Sequence, residues 1–369
     1  MFVFYSLSTL FLAYPIFHMI SRYMKIDLLI FNIFFVVKFV YLLLHIYAHY
    51  NNFGTDSIAY FNNAYNFSIQ QFPISENLIY GINYFFKEFL HLNYESLNVI
   101  TFFISFSSCI LLLSLTNDID NSKKFGIYVI LLFPSLNYFT SGLNKDMLIF
   151  FGLSLFLFSL FKKKIVLFIL SLVLIFLVRP YVCFSILFAI IICSSLLFLK
   201  KIIIDYKMNL RFFLTYFISA STSLIVIYYI SDNLLGSFGR NFLEGDLTTI
   251  INNLQSHYAN TSLGIPIDTN IYLRILDYIF FPALWHLPKF NLFFIILIFE
   301  NTLLLIIIIN CFYGYKFFKI KDYETNIALF SFFILFLILA VVTSNHGIAF
   351  RQKWMFLPFL ITIISQKSK

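Results

Sequence analysis

The chain is short of charge. Asp, Glu, Lys and Arg make up only 11% of its 369 residues, against 61% hydrophobic ones; a soluble globular protein carries about 25% charged residues and roughly 45–50% apolar ones. So few polar groups cannot coat a soluble core of this size. The apolar excess also excludes a disordered tail, which needs low hydrophobicity and high net charge. Cysteine is scarce as well. Cys109, Cys183, Cys193 and Cys311 all lie inside apolar runs, so they read as small buried hydrophobes and not as a disulfide framework or a zinc site. HExxH, CxxC and carboxylate clusters at ligand spacing are all missing, which argues against a metal centre. No repeat with a period of about 20–50 residues is visible. The opening stretch MFVFYSLSTLFLAYPIFHMI lacks a basic n-region and a small-residue cleavage site; a retained first helix is expected there, not a removed signal.

What is abundant is aromatic and aliphatic bulk, with 52 Phe and 24 Tyr and a mean hydropathy of +0.89. That composition predicts an all-α polytopic integral membrane protein with a single membrane domain over 1–369. A helix crossing the hydrocarbon needs about 20 apolar residues, which leaves no room for a large soluble domain. Apolar length and polar breaks predict eleven crossings, near 1–20, 26–49, 97–115, 125–140, 147–161, 165–178, 181–199, 210–230, 290–312, 325–343 and 354–366. Two enlarged loops differ in composition. Loop 50–96 is rich in Asn, Tyr and Ser and carries an amphipathic piece near IYGINYFFKEFLHL. Loop 231–289 ends in ILDYIFFPALWHLP, spanning 275–288, which is too short to cross before Pro288. A re-entrant or interfacial segment is expected there, with its backbone covered by protein.

Charge gives the orientation. Alternate loops hold Arg22, Lys25, Lys123, Lys124, the Lys162–Lys164 run, Lys200, Lys201, Lys207, Arg211, Lys316, Lys319, Lys321, Lys367 and Lys369. These loops are strongly basic, whereas the opposite set, with both long loops, is slightly acidic. The positive-inside rule makes the first set cytoplasmic, with the N-terminus outside and the C-terminus inside. The net charge of +8 and the isoelectric point near 9.1 follow from this topology, and nothing in the pattern suggests nucleic-acid binding.

Most of the informative polar residues then fall on the external face. Asp56 lies in NNFGTDSIAYFNNAY; Lys145 and Asp146 lie in SGLNKD; Arg179 precedes Pro180 in VRPY. Arg240, Glu244, Asp246, His257 and Arg274 belong to the second long loop, and His346, Arg351 and Lys353 to SNHGIAFRQKW. An external rim with several Arg suits a phosphate-bearing lipid, because the guanidinium fork matches phosphate geometry and stays charged at any relevant pH. Each residue also has a plainer role open to it. Rim Arg and Lys snorkel, Asp56 caps a helix, Lys145 and Asp146 pair within a turn, and His257 and His346 serve as structural histidines. Two charges lie inside predicted crossings, where charge is expensive. Lys38 is followed by Tyr41, His45 and His49 on one helical face, and Glu300 sits midway along 290–312. They make either a Lys38–Glu300 pair that fixes helix packing or a polar groove for a lipid phosphate or a proton.

These residues carry a resemblance. GTDSIAYFNNA, FPSLNYFTSGLNKDMLIF followed by FLVRPY, and NHGIAFRQKWMFLPF, together with the crossings and two enlarged external loops, resemble the O-antigen polymerases (Wzy) and related exopolysaccharide polymerases over nearly the whole chain. The resemblance implies a glycosyltransferase of the bacterial inner membrane working at its periplasmic face. Such an enzyme moves a growing glycan from undecaprenyl pyrophosphate onto the next lipid-linked repeat unit, without a cofactor, nucleotide sugar or metal. It further implies that Arg179, Arg274 and Arg351, with Arg240, clamp the pyrophosphate, and that Asp56, Glu244 or His346 takes the acceptor proton. A chain-length regulator and other polysaccharide-assembly proteins are implied partners. Two alternatives stay open. One is a GT-C type transferase using polyprenyl-phosphate sugars, with Asp56 in its first external loop; the other is a lipid-linked oligosaccharide flippase using Lys38, Glu300 and the His face as a path. No inverted repeat or paired broken helices support the flippase.

Overall fold

A computed structural model describes residues 2–51, 56–67, 74–117, 119, 121–205, 275, 278, 292–313, 323–342 and 346–366. Every regular element among them is helical. Three helices are long and apolar enough to cross a membrane, Leu28–Tyr50, Tyr94–Ser114 and Tyr323–Ala340, or four if the bent pair Pro134–Ser141 and Lys145–Lys162 is one span. Three shorter apolar helices accompany them, Ile165–Val178, Pro180–Leu196 and Ile295–Asn310. The eleven expected crossings therefore stand in the described residues as three to four spans; the crossing expected over 210–230 and loop 231–289 lie outside those residues, save 275 and 278.

The chain divides into two compact units, Met1–Arg179 with Ile364–Lys369, and Pro180–Ile363. The first holds α1 (Phe2–Tyr23), α2 (Leu28–Tyr50), α3 (Asp56–Asn62), α4 (Ile74–Tyr84), α5 (Tyr94–Ser114), α6 (Asn121–Leu131), α7 (Pro134–Ser141), α8 (Lys145–Lys162) and α9 (Ile165–Val178). Local chemistry sets these boundaries. Asp27 caps α2 by accepting from Leu29 N and Ile30 N, Asn93 caps α5 through Ser96 N, and Asn144 caps α8 through Met147 N, each satisfying backbone donors that a helix start leaves orphaned. Lys163, at φ 56°, ends α8 in the left-handed region and starts the tight return into α9. The two helices pack closely: a Cβ on Gly152 would lie 2.8 Å from Ile175 Cγ1.

The buried interior is mostly apolar but takes in many polar groups as well, while large aliphatic residues lie outside. Lys38, His45, Asn98, Thr101, Ser105, Asn137, Thr140 and Asp146 are buried. Meanwhile Val36, Val40, Leu43 and Leu44 of α2, and Ile165, Val166, Ile169, Leu170 and Val173 of α9, are exposed. Polar groups inside and aliphatic ones outside fit a hydrocarbon solvent, which has no partner for a polar group. Aromatic side chains fill the α1–α2–α5 contact: Phe17 stacks on Phe103 at 5.3 Å, and Phe35 meets Phe102 edge-on at 5.2 Å.

The expected crossing at 125–140 is broken. The chain leaves α6 at Leu131 and enters α7 at Pro134, because proline brings no N–H and clashes with the preceding turn. Asn137 repairs the break by donating to Leu131 O and Phe133 O, both at 2.9 Å. Beyond α7 the chain turns by 109° into α8. Here too the freed carbonyls find partners, Ser141 O accepting from Thr101 Oγ1 at 3.0 Å and Phe139 O from Asn144 Nδ2 at 2.9 Å. A broken helix at membrane depth requires this kind of compensation.

The basic turns gather at one end of this unit. Lys162–Lys164 join α8 to α9, Arg22 and Lys25 flank the α1–α2 turn, and Asn117, just beyond α5, donates to Met24 O of that turn at 2.7 Å. The opposite end carries α3 and α4, which pack on each other and, through α4, on α8 and α9. The amphipathic piece of loop 50–96 is α4 with its π-helical extension Phe85–Phe89.

The second unit holds α10 (Pro180–Asp205), α11 (Leu292–Tyr313), α12 (Tyr323–Val342), α13 (His346–Lys353) and most of α14 (Leu357–Gln366). Helices α10 and α12 pack together and share a Ser194–Tyr323 hydroxyl bond of 3.0 Å. Residues 354–363 are buried throughout.

Candidate functional site

The end of the first unit opposite the basic turns brings several predicted residues together. Arg179 ends α9 with an extended backbone, φ −145°, as the following Pro180 demands. Its Nη2 donates to Asp146 Oδ1 in the first turn of α8 at 2.5 Å. Asp146 is 0% exposed and Arg179 16%, so the carboxylate sits behind the guanidinium. Neighbouring Lys145 holds its ammonium 5.8 Å from the Tyr60 ring centre of α3. Asp56, one turn earlier, is the first residue of α3, with an exposed side chain.

Aromatic and acid contacts secure α3 and α4 over this end. His49, at the end of α2, stacks on Tyr94 at 4.4 Å. Tyr94 shares a 2.8 Å hydroxyl bond with Ser57, next to Asp56. Tyr50 donates to buried Glu95 at 2.6 Å. Lys87 lies over the rings of Phe61 and Tyr65, at 4.9 and 4.7 Å. Tyr65 donates to Glu88, and that bond holds its phenol above the usual tyrosine value.

A second polar cluster lies deeper, at the α2–α7 contact. Lys38 Nζ, fully buried, donates to Thr140 Oγ1 at 2.7 Å, and that hydroxyl donates to Leu136 O at 2.6 Å. The ammonium also lies 5.5 Å from the Phe150 ring centre. His45 Nε2 donates to Tyr138 O at 2.8 Å and its ring stacks on Tyr138 at 5.0 Å. The helical face expected to carry Lys38, His45 and His49 thus points inward, toward α7 and then α5. The Lys38 ammonium is held by Thr140 within the first unit, and Glu300 is a buried residue of α11 in the second.

In the second unit, buried Lys353 donates to Asn301 Oδ1, beside Glu300, at 2.7 Å. It also lies 6.0 Å from the Tyr278 ring centre. Arg351 is partly exposed in the last turn of α13, and His346 is the first residue of that helix. Arg240, Glu244 and Arg274 lie outside the described residues. No group of three or more His, Cys, Asp or Glu able to hold a metal ion occurs among the described residues.

Sequence reasoning passed over two acids that the structure makes prominent. Asp146 was read as a partner of Lys145, yet the hairpin of α8 and α9 returns Arg179 to it 33 residues later. Glu95 carried no signal beyond its place near the head of a span. No protein-family model matches the chain, and neither does any curated protein or solved structure.

Proposed function

We propose that this chain is a polysaccharide polymerase that joins undecaprenyl-pyrophosphate-linked repeat units at the periplasmic face of a bacterial inner membrane. The observation that carries the reading is that the Asp146–Arg179 pair, Lys145 against Tyr60 of α3, Asp56 at the head of α3 and the His49–Tyr94 stack all lie at the end that carries α3 and α4, opposite the basic turns. Positively charged turns stay cytoplasmic, so the opposite end faces the periplasm, where lipid-linked repeat units are joined.

The chemistry asks little more than such an end offers. The acceptor hydroxyl attacks the anomeric carbon of the donor glycan, the bond to the pyrophosphate oxygen breaks, and undecaprenyl pyrophosphate leaves. The leaving group is already good, so the protein stabilises its charge and orients the acceptor. Arg179 and Lys145 are cations suited to the phosphates, with Arg351, Arg274 and Arg240 as further members of the clamp. The hydroxyl proton goes to Asp56, Glu244 or His346. The reading calls for no cofactor, and its partners are the lipid-linked glycan, the bilayer, a chain-length regulator and other assembly proteins.

One observation favours a second reading. Asp56 heads a helix of the first large external loop with its side chain exposed, the position of the catalytic carboxylate in GT-C type transferases. The flippase reading draws no such support, since Lys38, which would line its path, is enclosed against Thr140. A glycan ladder from cells with and without the gene separates the three. A surface lipid capped with a single repeat unit after deletion supports the polymerase. A lipid bearing a truncated unit supports the transferase, and one bearing none supports the flippase; either outcome overturns the polymerase.

A further inference from the structure

We infer that Asp146 is a positioning residue, which holds the Arg179 guanidinium for the phosphates of a bound polyprenyl pyrophosphate. The inference rests on the proposed function for the identity of the ligand, and on the structure for the geometry.

An ion pair placed only to tie α8 to α9 is a poor device. Withdrawing two charges from water costs about as much as their attraction returns, and apolar side chains of similar volume hold helices as well or better. The tie is also unneeded, because α8 and α9 already interlock at Gly152 and Ile175. The pair is unequally buried as well. Asp146 has no exposed surface, while Arg179 keeps 16%. The acid therefore fixes the arginine from behind, along the edge that carries Nη2. The backbone directs the same arrangement. Pro180 forces Arg179 off the α9 helical path, and the cap Asn144 fixes the first turn of α8, where Asp146 sits. Lys145, the neighbour of Asp146 in the same turn, places a second cation next to the pair. A side chain whose orientation is set before binding loses less rotamer freedom when it binds.

The competing account is a strut, in which the pair only joins two helices. The two accounts differ in what a swap does. Asp146→Arg with Arg179→Asp keeps one anion and one cation at the junction but moves the cation onto α8. Full-length protein is purified in detergent as wild type, Asp146→Asn, Arg179→Lys and the swap. Each is titrated with inorganic pyrophosphate, with sulfate as control anion, and binding is read as a rise in the unfolding temperature; the same variants are scored for glycan length in cells. Positioning predicts that wild type binds pyrophosphate, and that Asp146→Asn folds but binds at least tenfold more weakly, a loss of about 1.4 kcal/mol. Arg179→Lys, which keeps the charge but loses the fork, weakens binding too. The swap folds and does not bind. Wild-type binding by either Asp146→Asn or the swap overturns the inference in favour of the strut, and so does a wild type that responds to sulfate as strongly as to pyrophosphate. Should the swap fail to fold, Asp146→Asn decides, because it nearly preserves side-chain shape. Pyrophosphate binding that depends on Asp146, in a protein whose deletion leaves glycan length unchanged, would remove the polymerase reading and leave the positioning role intact.

Discussion

Gly142 stands in the turn where α7 bends into α8, and it faces the His45 ring. A Cβ built there lies 2.7 Å from His45 Cε1, 2.9 Å from Nδ1 and 3.0 Å from Nε2, closer than carbon and ring atoms pack. The ring cannot simply retreat, since Nε2 donates to Tyr138 O and the ring face rests on Tyr138. Gly142→Ala therefore either strains the turn or breaks that bond. Overpacking a fitted site costs about 1–3 kcal/mol, and giving up the hydrogen bond adds about 1 kcal/mol, so the expected loss is about 2–4 kcal/mol. The assay is reversible unfolding of the purified protein in mixed micelles, run as a double-mutant cycle with His45→Ala. Removing the ring opens the space, so Gly142→Ala should be nearly neutral on the His45→Ala background. The coupling is then of the order of the single-mutant loss, at the upper end of the range seen for residues in contact. Equal effects of Gly142→Ala on both backgrounds would refute the close approach, and so would no effect at all.

Other expectations follow from the same contacts. Thr140→Val should cost about 1.5–3 kcal/mol, the range for a hydrogen bond to a charged group, and pairing it with Lys38→Met should recover much of that loss, since the ammonium is then gone; unfolding of the single and double variants checks this. Asn137→Leu removes both bonds that repair the Pro134 break and should lower the unfolding temperature more than Asn121→Leu at the head of α6. Arg351→Ala should abolish long glycan while the protein remains inserted at wild-type level, read by a glycan gel beside an immunoblot of the membrane fraction; normal polymer would remove Arg351 from the clamp.

The sequence made some of this legible because the signals were periodic or local. Lys38, His45 and His49 fall on one helical face by their spacing alone; that the face points inward came from the structure. The α8–α9 return was visible in the lysine run at 162–164. Pairing across the fold was less accessible. The Lys38–Thr140 bond is an example: a buried ammonium needs only a well-placed oxygen, and α7, 102 residues away, supplies one. The break at Leu132–Phe133 was hidden by hydropathy, which averages over 125–140 without weighing a proline whose lost bonds an asparagine three residues later can repair. The Asp146–Arg179 pair required knowing that α8 and α9 bring their far ends back together.

Reconstitution tests the account most directly. The purified full-length chain, placed in liposomes with its undecaprenyl-pyrophosphate-linked repeat unit as the only glycan and no nucleotide sugar, should yield lipid-linked products longer by whole repeat units. Arg179→Ala in the same liposomes should yield none. Unextended substrate with the wild-type protein, or products that grow by single sugars when a polyprenyl-phosphate sugar is supplied, would contradict the polymerase.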